Sequence, residues 1–182
     1  GGGGSGGSAY IITKTLSGAG SITANGGKGG PWGGSYGGGG GGGRIAIYYQ
    51  ASNFTGGVVA RGGIGNGNNT GKDGTAGFFD IANNYFYSGP FWRFQENDSP
   101  FEFNKIFLKG SSITSEGTVS ISVNDLLLEN SNLLISGKEA FNISNLSLIN
   151  STIIPLPQVK IDFNLKNLNL DENSYILADG KG

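Results

Sequence analysis

The chain has 182 residues, 36 of them Gly, and 12 Lys and Arg against 13 Asp and Glu give a net charge of −1. Near neutrality argues against electrostatic capture of nucleic acid or anionic lipid, while a hydrophobic fraction of 36% is enough for a core. Cys, Met and His are all absent, which removes disulfides, thiolate nucleophiles, imidazole bases and the usual zinc and copper ligands.

The chain opens on "GGGGSGGS", without Met and without a charged stretch leading into an apolar one. It reads as a processed product or as a segment of something longer. No window approaches about 18 consecutive apolar residues, so no membrane insertion is expected. Residues 9–27, "AYIITKTLSGAGSITANGG", and residues 45–63, "IAIYYQASNFTGGVVARGG", align without a gap at an offset of 36. Ile11 falls on Ile47, Ile22 on Val58 and Ala24 on Ala60, so each segment is one coil of a repeat.

The rest of that offset, residues 28–44, reads as an inserted loop, "KGGPWGGSYGGGGGGGR". A second insertion, residues 64–77, leaves after the matching Gly-Gly of the next coil, which puts both on one side. The glycine run from Gly37 to Gly43 lacks the Lys-Ser/Thr and helix start of a phosphate loop, since Arg44, Ile45 and a strand follow it. It reads either as polyglycine strands packed on the coils or as an unpacked surface loop.

Residues 76–84, "AGFFDIANN", start the next coil, with Phe79 and Ile81 falling in the columns of Phe101 and Phe103. "YFYSGPFWRF", residues 85–94, has too many rings for one face of a coil and reads as a bulge or a lid. From residue 101 onward the apolar positions fall into columns when Phe101 is laid over Ile121, Phe141 and Phe163. Those four form one column; another is Leu108, Leu128, Leu148 and Leu170. Between them run Phe103, Val123, Ile143, Leu165 and Ile106, Leu126, Leu146, Leu168, and a fifth column holds Ile113, Leu133, Ile153 and Ile176. Alternation with period two marks strands with one buried face. The polar step at Asn104-Lys105, Asn124-Asp125, Ser144-Asn145 and Lys166-Asn167 marks a bend within each row.

Three short strands per repeat of about 20 residues describe a single-stranded parallel β-helix, or β-solenoid. Coils stacked at the ~4.8 Å strand spacing turn columns into ladders. Asn130 is expected over Asn150 and Ser131 over Ser151, with Lys105 beside Asp125 and Lys109 beside Glu129. The expected organisation is one all-β domain over residues 1–182. It has glycine-rich coils at 1–75 with insertions at 28–44 and 64–77, an irregular aromatic-rich coil at 76–100, and regular Asn- and Leu-rich coils at 101–182.

"SITANGG", "GGGGGGGRIAIYY" and "LLLENSNLLISG" resemble the glycine-rich right-handed β-helix regions of large prokaryotic surface proteins. The resemblance covers nearly the whole chain and is one of repeat style. It implies a right-handed coil, an extracellular or cell-surface location and membership of a longer repetitive polypeptide. It supplies no reaction.

Asp80 and Glu102 share an outward column in successive coils. A carboxylate pair at about 5 Å suits a retaining glycosidase or a shared Ca²⁺, although two solvated carboxylates are the plainer reading. No other cofactor is expected. Trp32 and Tyr36 in the glycine-rich insertion, with Trp92 and Phe94, are candidate contacts for glycans or for a neighbouring subunit. Triplets of the form Asn-x-Ser/Thr begin at Asn53, Asn68, Asn97, Asn142, Asn145 and Asn150; Pro100 makes Asn97 a poor acceptor, which leaves the other five as candidate glycosylation sites. With Arg only at 44, 61 and 93 and no three-member acidic column, catalysis is not expected. The last coil, "NLNLDENSYILADGKG", has no polar cap, so both ends call for further coils of the same polypeptide or another subunit. The function these features suggest is a structural rod, stalk or filament segment. A carbohydrate-binding adhesin module is the alternative.

Overall fold

A computed structural model describes residues 1–32, 35–65 and 69–178. Among these the chain is all-β, without an α-helix, and its stacked parallel coils form a β-solenoid of about four turns. It divides into two compact units, Gly1–Ala82 and Asn83–Gly182.

The first unit carries β1 (Ser8–Leu16), β2 (Ser21–Thr23), β3 (Pro31–Trp32), β4 (Ser35–Tyr36), β5 (Arg44–Ser52), β6 (Gly57–Val59) and β7 (Thr75–Asp80). β5 lies between β1 and β7 and is parallel to both. The offset of 36 visible in the sequence is the physical register, with Ile11 opposite Ile47 and, between β2 and β6, Ile22 opposite Val58. The alternate residues Ile45, Ile47 and Tyr49 point inward and join Ala24, Val58, Ala60 and Ala76 in a core. The two insertions are shorter than the sequence suggested, because Arg44 already opens β5 and Thr75 opens β7.

The glycines of this unit are packed, and with a period of three. Gly37, Gly40 and Gly43 donate their N–H groups to the carbonyls of Gly30, Gly27 and Ala24 at 3.1, 2.9 and 2.8 Å. Gly3 and Gly6 donate to Gly38 and Gly41, both at 2.8 Å, and Gly39 and Gly42 donate to Asn69 and Lys72, both at 2.8 Å. Three residues per turn without internal hydrogen bonds is the polyproline-II geometry, so each segment must satisfy its backbone through its neighbours. Five such segments, residues 1–7, 24–30, 37–43, 60–65 and 69–74, do this for one another. Segment 37–43 bonds to all four others, with Gly63 N–H to Gly40 O (2.7 Å) joining it to 60–65. The run that the sequence left open between packed strands and a loose loop is therefore the centre of a polyglycine bundle.

The second unit carries β8 (Tyr85–Ser88), β9 (Phe91–Gln95), a 3-10 turn (Glu96–Asp98), β10 (Phe101–Lys109), β11 (Ser112–Glu116), β12 (Thr118–Glu129), β13 (Asn132–Ile135), β14 (Lys138–Ile149), β15 (Thr152–Pro155), β16 (Asp162–Leu170) and β17 (Tyr175–Ile176). Two parallel ladders run through it. One is β8-β10-β12-β14-β16 and the other β9-β11-β13-β15-β17. Phe101, Ile121, Phe141 and Phe163 are successive partners, as are Leu108, Leu128, Leu148 and Leu170. Ile113, Leu133, Ile153 and Ile176 stack likewise in the second ladder. Pairing skips Asn104, Asn124, Ser144 and Lys166, which is where each long strand turns its corner.

The turn between the two ladders is held by side chains. Asn130 and Asn150 take positive φ (50° and 46°), as Gly110 does in the coil before (58°); Asn and Gly tolerate that region best. Asn150 Nδ2 donates to Asn130 Oδ1 at 2.7 Å. Next to it the buried hydroxyls of Ser131, Ser151 and Ser174 each accept the N–H of the serine one coil earlier, at 3.1, 3.0 and 3.1 Å. The charge pairs also form, with Lys109 Nζ 2.8 Å from Glu129 and Lys105 Nζ 3.9 Å from Asp125.

The aromatic-rich stretch corrects the sequence reading. Residues 85–94 are neither bulge nor lid but β8 and β9, an ordinary coil in register with β10 and β11. The step into β10 runs from Tyr85 to Lys105, shorter than the step from Phe79 to Phe101 that the columns suggested. The rings look excessive because one coil fills the core with Phe86, Trp92 and Phe94 at once.

Candidate functional site

Trp92 and Phe94, expected as exposed contacts, are core residues with 7% and 2% exposure. Trp92 stands beneath Ile113 and Phe94 beneath Ser115, so they are the first rungs of two inward columns. Phe86 packs on Trp92 with ring centroids 4.7 Å apart, and Phe101 meets Phe94 edge-on at 4.9 Å. Neither ring presents a face to a ligand. The side chains of Trp32 and Tyr36 lie outside what the structure describes, as does Asn68.

Asp80 closes β7 in the first unit, buried, with Oδ1 accepting the N–H of Ala82 at 3.1 Å. Glu102 belongs to the second unit and is exposed on β10. A carboxylate already committed to its own turn is a poor half of a shared calcium or glycosidase pair. Among the described residues no three His, Cys, Asp or Glu side chains come together to hold a metal.

The four described acceptor asparagines separate into two kinds. Asn53 and Asn142 are exposed. Asn145 and Asn150 spend their amides on neighbouring coils: Asn145 Nδ2 donates to Asp125 at 2.7 Å and its Oδ1 accepts from Asn167 at 2.7 Å. A glycan on either would have to share an amide nitrogen that a ladder already uses.

Two surfaces of the second unit were not singled out in the sequence. The first is an outward aromatic stack. Tyr87 lies parallel to Phe107 (4.7 Å, 3°), Tyr85 meets Phe107 edge-on at 6.4 Å, and Lys105 Nζ sits 4.9 Å from the Phe107 centroid. Tyr87, Phe107 and Leu127 are successive partners, which is the only signal the sequence offered. The second is a polar groove of about 510 Å³ along the corner of the long strands. One wall is Glu102, Ser122, Asn142 and Asn164, each the partner of the next. The other is the unpaired corner column of Asn104, Asn124, Ser144 and Lys166. Phe103, Val123, Ile143 and Leu165 form the floor between them.

The final rung of the first ladder is the third notable surface. Leu168 and Leu170 on β16 are 50% and 42% exposed, whereas Leu146 and Leu148 directly beneath them are 1% and 0%. At the adjoining turn Asp171 follows β16, and its carboxylate accepts the N–H of Asn150. Its carboxylate is held below the usual range first by the hydroxyl of Ser174 (2.5 Å), with the N–H groups of Asn150 and Asn173 adding to it, while burial opposes more weakly than the Ser174 bond.

No family model, no curated protein and no solved structure matches this chain. The site must be read from its own geometry.

Proposed function

We propose that this chain is a structural β-solenoid, a segment or subunit of an extracellular rod, stalk or filament that grows by adding coils at its terminal rung. The observation that carries the reading is the contrast between Leu168 and Leu170 and the buried leucines of the same columns one coil earlier. β16 offers apolar side chains, and its outer edge shows no partner strand among the described residues, the combination that soluble proteins avoid or cover. A further coil, from the same polypeptide or from a second copy, would bury both leucines and pair the edge. Abundant ladder bonding and the lack of oxidisable sulfur suit a long-lived part exposed outside the cell.

Electron microscopy of the native material tests this. Rods or filaments with a ~4.8 Å axial repeat are expected. Discrete particles of uniform size, with no association through β16, would overturn it.

A further inference from the structure

We propose that the polar groove of the second unit binds a neutral, linear glycan strand laid along the coil axis. Asparagines that look alike in sequence behave differently on the two sides of the corner. On one side, Asn145 and Asn167 lock their amides into a ladder at 2.7 Å. On the other side, Asn142 and Asn164 are also direct partners in β14 and β16, yet they make no such bond. Among the described residues the side chains of Asn124, Asn142 and Asn164 have no hydrogen-bond partner, and all three line the groove. Each free amide offers two donors and an acceptor.

The spacing and charge of the groove select the ligand. From Asn84 to Lys166 it crosses successive coils, about 19 Å at the ~4.8 Å strand spacing. Its polar groups therefore recur at close to the length of one sugar in an extended chain. Among its described lining residues Glu102 and Lys166, toward opposite ends, are the only ionised side chains, so it has no field for a polyanion or a polycation. Hydroxyls, which both donate and accept, match side-chain amides. The half-buried Phe103 and Leu165 give the floor an apolar strip for the C–H faces of the rings. A peptide strand would need a free sheet edge, and the groove is floored by strands already paired on both sides at β10, β12 and β14.

Calorimetric titration with cellohexaose, chitohexaose and maltohexaose, with polygalacturonate and polylysine as charged comparators, tests the proposal. At least one neutral hexasaccharide is expected to bind, more tightly than its own disaccharide because it spans more coils. Asn142→Ala with Asn164→Ala is expected to weaken it by about tenfold or more, as loss of two hydrogen bonds implies. Ser122→Arg, which fills the groove from another coil, should weaken it as well, and Thr114→Ala on β11 should not. Absence of binding by all three hexasaccharides, binding that survives both groove variants, or tighter binding of a charged polymer would each overturn the proposal. The titration does not depend on assembly, so its failure would leave the rod reading standing.

Discussion

Gly40 and Gly41 are neighbours in one glycine run, yet they are held to different standards. A Cβ on Gly40 would lie 1.9 Å from the Gly4 carbonyl oxygen, while one on Gly41 would meet nothing nearer than Lys72 O at 3.7 Å. Neither has positive φ; among the described residues the left-handed glycines are Gly18, Gly110 and Gly117. Backbone approach, then, and not conformational freedom, requires glycine at position 40, as at the axis of a collagen helix. Gly40→Ala is expected to destabilise the first unit by about 1–3 kcal/mol or more, because backbone must move. Gly41→Ala is expected to be neutral or to stabilise by up to about 1 kcal/mol through the unfolded chain. Thermal denaturation of the two variants checks this, and equal losses would contradict the bundle.

Asp171 yields a pH dependence of definite sign. Its carboxyl is held below its ordinary value of 3.8 by Ser174 and by two backbone N–H groups. A lowered folded-state value means that the contribution to the last turn is fully present above the ordinary carboxyl range. It is lost as pH falls through the lowered value. Protection of the Asn150 amide, whose N–H points at this carboxylate, taken as its exchange rate relative to the intrinsic rate at each pH, should hold through the ordinary carboxyl range and fall only below it. Protection that is the same above and below that range would contradict the assignment.

At the scale of elements, period two specifies most of the fold. The columns read from Phe101 through Phe163 are the ladder from β10 to β16. Leu148, sealed between Leu128 and Leu170, makes the consequence measurable. Leu148→Asp strands a carboxylate in the core and is expected to cost several kcal/mol, whereas Leu127→Asp, on the outward side of β12, costs far less. Comparable unfolding midpoints for the two would mean that the register is wrong. The second ladder is harder to read, because its steps are unequal: Phe91 pairs with Ser112 and Ser112 with Asn132, but Thr152 pairs with Tyr175. That variation hid Trp92 and Phe94, whose ring content suggested display and whose positions are inward. The groove was hidden for a different reason. Asn142 and Asn145 both lie on β14 as polar residues of one strand, and only the corner between them decides which amide is spent and which is free.

At the scale of the molecule, two repeat logics share one chain. The second unit is a solenoid written with period two inside each coil. In the first unit the same stacking recurs in β1, β5 and β7, while the glycines follow period three. That second period was legible in principle. In "NGGKGGP" the side chains of Asn25, Lys28 and Pro31 point out, and Gly26 and Gly29 point in against Gly40 and Gly37. It stayed hidden because glycine runs ordinarily signal loops, and because a polyproline-II segment has no apolar face to betray its packing. "RGG" at residues 61–63 repeats the triplet, with Arg61 outside and Gly62 against Gly71.

The self-assembling form of the rod reading, in which a second copy and not further coils of the same polypeptide covers β16, stands or falls on whether that rung is an assembly surface. Sedimentation velocity across a concentration series, comparing the chain with its Leu168→Asp/Leu170→Asp variant, asks this directly. Self-association that grows with concentration in the unaltered chain, and a folded monomer in the variant, is the predicted result. A monomer at every concentration in both, or association that ignores the two substitutions, would contradict it.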